Sequence, residues 1–565
     1  MIPAVTRALR RLEALQAEFG PGTSEAKLRE LAELSRARLG SAAAVARLHE
    51  VLCFLRAYPD DASVLECVEE LLEGFERRAD LRRHAHALAD SGIAGTAITY
   101  PFFAEMARWL AARWPAALSV VWDEFESQER LEGFLQELLL FGESPGLDEW
   151  TFPMREWCAR LKRPDESDAA FLVRRFAALP VGATLSEWLY QEMGLTLTLA
   201  PCPGTPSRTR ARARRLPVVF QDRPLDRSRP DLARDVSRPP VSVRSVSRSE
   251  GAALIDLARA AMVTRGRDLD VFSYGNPDDV RLVDCGGGLM FAAIGALPER
   301  RLLLEAVYGF LTLKNGVPIG YVLNSALLGS AEVAYNVFDT YRGGEAAHVY
   351  GRVLATLRRL FGCDSFTVYP YQLGGDGNEE GLASGAWWFY QKLGFRARDA
   401  GVLRLMKREL KRLGRSPRAR TSIATLRELA AHNVYWHLGA ERDDVIGLAP
   451  LSKVGLALSD ALAARWGSDR EGAVRDCRRE AAHLLGAGDL RGWSKGERLA
   501  WERWATLVVH LPGIARWPRE ARRKLLAVVR AKGGRRESDF VRRFDAHGLL
   551  RRALLRMTDG VEVEE

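Results

Sequence analysis

Several stretches of this chain combine residue types and spacings that do chemistry. The first is Arg342-Gly343-Gly344-Glu345-Ala346-Ala347, which follows the apolar run AEVAYNVFD and leads into HVYGRVLATLRRLF, a stretch with helical spacing. The first backbone N–H groups of a helix have no partner within it, and they attract phosphate oxygens. Glycines at such a turn let the backbone approach an anion with no Cβ in the way. A second stretch, SGAWWFYQKLGF (384–395), ends a helical pattern at Gly394, the usual residue just past a helix C-terminus, and Phe395 starts the next strand. Between the two lies DGNEEG (376–381), an acidic loop that solvation explains and that would also draw a cationic amine. Cys285, in DCGGG, has no evident histidine to activate it and reads as a structural thiol.

These motifs need a scaffold, and the period of the sequence supplies one. EGAALIDLARAAMV (250–263) reads as an amphipathic helix. Short β-type runs follow: DVRLVDC, GLMFAAIGAL, LLEAVYGFLTL, VPIGYVLNSALL and AEVAYNVFD. Lys314-Asn315-Gly316 between the third and fourth is a hairpin signal. A helix from about 344 to 361, the strand SFTVYP (365–370) and a helix ending at Gly394 complete a mixed α+β layout.

The glycine turn, together with Ala386 and Tyr390-Gln391-Lys392-Leu393-Gly394-Phe395, resembles the GNAT superfamily of acyl-CoA-dependent N-acetyltransferases over residues 249–410. The family's phosphate turn reads Arg/Gln-x-x-Gly-x-Gly/Ala. With Arg342 first, Glu345 and Ala347 take the fourth and sixth places; shifted by one, Gly344 and Ala346 do. The family often has an Asn three residues before the Ala, where this chain has Ala383. The resemblance implies acetyl-CoA or another acyl-CoA as co-substrate, without a metal. Its diphosphate would lie at Arg342, Gly343, Gly344, Ala346 and Ala347. A backbone N–H at Val337 or Phe338 would donate to the tetrahedral oxyanion, and Tyr390 would protonate the departing thiolate. Glu332 and Asp339 are the candidate bases for the amine. Seven residues apart on one strand, they face opposite ways, and Glu332 is preferred because Asp339 abuts the turn. The acceptor is an amine, on a small molecule or a protein.

The flanks read differently. Residues 1–200, with LEALQAEF and AVARLHEVLCFLRAY, predict an all-helical N-terminal domain; 411–565 predict a helical C-terminal one. Residues 201–248 are dense in Pro, Ser and Arg and predict a solvated linker. The fold class expected is therefore multidomain, an α+β GNAT-like mixed-sheet domain between all-α flanks.

The net charge of +9 is concentrated. Residues 201–250 hold twelve Arg against five acids, and 516–556 hold fourteen Lys and Arg against four, so the remainder is acidic. The basic 516–556 segment keeps open an anionic or nucleic-acid partner. No apolar run is long enough to span a bilayer, the first twenty residues lack a signal-peptide core, and seven scattered cysteines fit a reducing cytoplasm. Two alternatives stand beside the enzyme: a GNAT-fold module without catalysis, serving binding or assembly, and a nucleic-acid-associated protein.

Overall fold

The computed structural model describes residues 4–213, 215–416 and 418–559; residues 560–565 of the acidic tail lie outside them. Two compact units divide the chain: Met1–Leu225 with Ala253–Tyr274 and Lys314–Pro318, and Asp226–Ala252 with Gly275–Leu313 and Ile319–Glu565.

In the first unit, helices such as Thr23–Arg36, Ala42–Ala57 and Ala62–Glu73 surround a core that includes Leu31, Leu48, Leu52, Val64 and Leu72. Ser41 and Asp61 begin the latter two by accepting the amides of Ala44 and Val64 at 3.2 and 2.9 Å. A second core gathers Leu110, Leu131, Leu172 and Leu197. It includes a departure from the all-helical expectation: Leu197–Leu199 pairs antiparallel with both Ile98–Tyr100 and Leu118–Val120. Strands of three residues are too short for alternation to show in a sequence window.

The expected linker is not a solvated tether. Arg56, 2% exposed, donates to the carbonyls of Thr209 and Arg208 at 2.6 and 2.9 Å, and Arg208 pairs with Glu50. Guanidinium groups satisfying backbone carbonyls dock a segment that has little apolar surface to bury, and composition does not register that.

The second unit is built on a nine-stranded sheet: β1 Ser242–Ser245, β2 Gly275–Gly286, β3 Leu289–Ala296, β4 Ala306–Lys314, β5 Val317–Leu327, β6 Ser330–Val337, β7 Ser365–Val368, β8 Arg396–Ala397 and β9 Val434–His437. The order across the sheet is β8-β9-β7-β6-β5-β4-β3-β2-β1. At the β4–β5 hairpin Asn315 and Gly316 both have positive φ, 50° and 79°, as a type I′ turn requires.

The helices that matter are α1 Leu232–Ser237, α2 Ala346–Phe361 and α3 Ala386–Leu393. Toward the C-terminus follow α4 Ser452–Trp466, α5 Arg470–Leu485, α6 Lys495–His510, α7 Arg519–Lys532, α8 Glu537–Asp545 and α9 Gly548–Asp559. Helix α2 crosses from β6 to β7 and makes them parallel, with Ser330, Ala331 and Glu332 opposite Ser365, Phe366 and Thr367.

Two further expectations are revised here. Residues 226–248 are part of this unit: β1 forms a sheet edge, and Arg352 on α2 donates to the carbonyls of Asp235, Arg238 and Pro239 at 2.8–3.0 Å, holding α1 down. The C-terminal region is not a separate helical domain. Phe310, Leu354, Phe366, Trp387, Trp504, Phe540 and Leu554 share one buried core, and β9 lies inside the sheet between β7 and β8.

Candidate functional site

The two motif-bearing segments meet around the parallel strands. Pairing of β6 with β7 ends at Glu332 and Thr367; β6 runs on to Val337, while β7 stops at Val368 and the chain turns into the short helix Pro370–Leu373. The strands therefore part at their C-terminal ends, the end at which α2 begins.

On its other side β6 stays paired with β5 to Gly320 opposite Val337, and the Phe338 amide donates to Ile319 O at 2.9 Å. The Phe338 N–H is thus committed to the ladder, against its expected role as an oxyanion donor. Antiparallel pairing alternates, so the neighbouring Val337 N–H points away from β5, toward the side that β7 has vacated. Of the two candidates, Val337 has the geometry.

The turn into α2 is a 3₁₀ segment, Asp339–Tyr341, followed by Arg342, Gly343 and Gly344. Gly344 N–H bonds Tyr341 O at 3.0 Å, and the helix ladder starts with Val349 N–H on Glu345 O at 2.9 Å. The amides of Ala346, Ala347 and His348 precede that first rung. A Cβ built at Gly343 would meet nothing within 4 Å, so the chain's own packing does not demand glycine there. Arg342 is engaged: its guanidinium bonds Val337 O at 3.3 Å and pairs with Asp339 at 2.9 Å and with Glu380. The acidic loop 376–381 is thus an internal partner of the turn, and its Glu379 pairs with Arg427 at 2.7 Å. Asp339, 84% exposed at its side chain, pairs with Arg342.

Glu332 sits where the strands begin to part. Ser325, opposite it on β5, donates to its Oε2 at 3.1 Å, and Thr367 flanks it on β7. Burial pushes its carboxyl above the ordinary range; the Ser325 hydrogen bond opposes that, and the Glu305 carboxylate adds to it. Tyr369, two residues beyond Thr367, also feels both carboxylates, and burial with their charge raises its phenol. Glu305, Ser325 and Tyr369 were not singled out in the sequence. Only strand register brings them to Glu332.

Tyr390 lies in an aromatic cluster on α3, 3% exposed, with ring centroids 5.5 Å from Tyr350, 5.2 Å from Phe389 and 5.8 Å from Phe395. Tyr350 on α2 in turn touches Tyr335 of β6 at 5.3 Å. Burial raises the Tyr390 phenol, so it keeps its proton across the physiological range. Gly394 closes α3 with φ 105°, the left-handed cap expected of it. Cys285 is buried beside Thr356, and burial pushes its thiol up, which disfavours the thiolate a nucleophile needs.

The basic C-terminal segment is largely spent inside its own unit. Arg542 donates to Leu360 O and Arg359 O, Arg551 pairs with Asp444, Arg530 with Glu497, and Lys532 is buried against Glu537 at 2.6 Å. Among the described residues no His/Cys/Asp/Glu group has the arrangement of a metal site, and no helix is long and apolar enough to cross a membrane. Comparison with protein-family models, curated proteins and solved structures finds no match to the chain.

Proposed function

We propose that the second unit is an acyl-CoA-dependent N-acyltransferase of GNAT type, with acetyl-CoA as the first donor to test. One observation carries this reading: β6 and β7 part just past Glu332 and Thr367, and the gap lies at the end of the sheet where the glycine turn opens α2. A parted parallel pair offers an extended pantetheine chain a slot with backbone donors. The free amides of Ala346, Ala347 and His348, with the open approach at Gly343, suit a diphosphate.

In the reaction the acceptor nitrogen attacks the thioester carbonyl, the C–N bond forms and the C–S bond breaks. Glu332 takes the proton lost by the amine, and its raised pKa brings it nearer the operating pH. The Val337 N–H donates to the oxyanion, and Tyr390 returns a proton to the thiolate.

Arg342's pairing with Glu380 favours a second reading, a GNAT-fold binding module without turnover. Thiol release from a panel of acyl-CoAs and amines, alongside titration calorimetry with acetyl-CoA, separates the two. Binding with release that Glu332→Gln suppresses about 100-fold supports the enzyme. Absence of release, with or without binding of acetyl-CoA, supports the module.

A further inference from the structure

Arg342 is already held by carboxylates of its own chain, and the second of these, Glu380, stands two residues into the helix Glu379–Ser384. We propose that the Arg342–Glu380 ion pair is a latch over the phosphate turn, opened by the donor's diphosphate. The proposal rests on the acyl-CoA reading above.

The pair is easily exchanged. Its two side chains are 43% and 51% exposed, so water screens their attraction and the bond is worth only a small factor in affinity. A diphosphate offers Arg342 more charge and a two-pronged acceptor. While the latch is shut, Glu380 and Asp339 also place two negative charges where the phosphates belong, and these oppose binding until one of them leaves.

The segment that carries Glu380 is compact and anchored, with Leu382 buried and Gly375 set against the Ala430 carbonyl, so the part free to move is the exposed Glu380 side chain. Inside it the packing is tight. Gly375 N–H bonds Pro370 O at 2.8 Å, and the Asn378 side chain joins Tyr371 O at 2.7 Å to Gly381 N–H at 3.0 Å. A Cβ on Gly381 would lie 2.9 Å from Gly374 Cα, so the two backbones sit directly against each other. At its far end Gly385, φ 67°, has open space on its Cβ side and leads at once into α3. Beside Glu380, Glu379 pairs with Arg427, and both of those side chains are exposed. When phosphate takes Arg342, the exposed Glu380 side chain turns out to water while the backbone that carries it stays packed.

The experiment is CoA titration of the full chain, its Glu380→Gln and Glu379→Gln variants, and Arg342→Ala with and without Glu380→Gln. The latch predicts that Glu380→Gln binds CoA about fivefold more tightly than the parent, that Glu379→Gln stays within about twofold, and that the Glu380 effect vanishes in Arg342→Ala. Equal CoA affinity in parent and Glu380→Gln overturns the latch and leaves the acyltransferase reading standing. So does an equal gain from Glu379→Gln. Failure of the parent and of Glu380→Gln alike to bind CoA defeats both.

Discussion

Ser325 on β5 donates its hydroxyl to the Oε2 of Glu332 on β6 at 3.1 Å, directly across the ladder, and this bond holds down a carboxyl that burial and Glu305 push up. A general base must be deprotonated, so turnover falls as pH drops through its pKa. Removing the hydroxyl in Ser325→Ala takes away a contact that favours the carboxylate, so the acidic limb of the kcat/KM profile shifts to higher pH. Glu305→Gln removes a repulsion and shifts the same limb to lower pH. Opposite displacements of the two profiles are the expected result; limbs that coincide with the parent's place the base elsewhere.

Tyr390 is tested by removal of one oxygen. The ring packs between Tyr350, Phe389 and Phe395, and phenylalanine fills the same volume, so Tyr390→Phe keeps its melting temperature within a few degrees. If the phenol protonates the leaving thiolate, kcat falls about 100-fold with little change in KM. A poorly basic thiol leaving group, such as a thiophenyl ester, needs no such proton and restores much of the loss. A parental kcat in the variant assigns Tyr390 to packing alone.

The sequence carried this site unevenly, for identifiable physical reasons. The α2 start, the Asn315-Gly316 hairpin and the Gly394 cap depend on local backbone chemistry, and each is legible from a few adjacent residues. Glu305, Ser325 and Tyr369 join Glu332 only through register among β4, β5, β6 and β7, which no local pattern encodes. Commitment of the Phe338 amide to Ile319 is likewise a matter of which rung of the ladder is bonded. The 201–248 segment departs from a solvated linker because arginine docking leaves no hydrophobic period: Arg56 and Arg352 secure it through backbone carbonyls. Strand β9, four residues within a helical stretch, is fixed by its neighbours on both sides.

Asp545, at the end of α8, accepts the Gly329 amide from the β5–β6 turn at 3.0 Å, and burial raises its carboxyl to about 6. A carboxyl raised in the folded state binds its proton more tightly there than in the unfolded chain. Its stabilising contribution is therefore complete below the ordinary aspartate pKa and is lost as pH climbs through about 6. Asp545→Asn keeps a neutral side chain that can still accept from Gly329. Relative to the parent it gains about 1–3 kcal/mol between pH 4 and 7, and the difference is flat above that. Urea midpoints at a series of pH values measure it; a difference independent of pH would mean that Asp545 titrates normally.

Lys532 at the end of α7 and Glu537 at the start of α8 form a buried pair at 2.6 Å, with Arg301 and Asp279 beside them and burial opposing the charge on both. Lys532 also donates to the carbonyls of Leu304 and Glu305, and the Glu537 amide donates to Asp279, so the pair fastens the C-terminal helices to the strand that presents Glu305. Removing one partner leaves the other charge buried without its counter-ion. Lys532→Met and Glu537→Gln are therefore each expected to cost about 3–5 kcal/mol in denaturant unfolding. The double variant removes both charges and should be less destabilised than the sum of the singles by 1 kcal/mol or more, about the coupling expected for contacting residues. Simple additivity would show that the two groups act independently in the folded protein. Because the same cluster borders Glu305, the singles should also shift the acidic limb set by Glu332, whereas an unfolded-state effect would leave that limb in place.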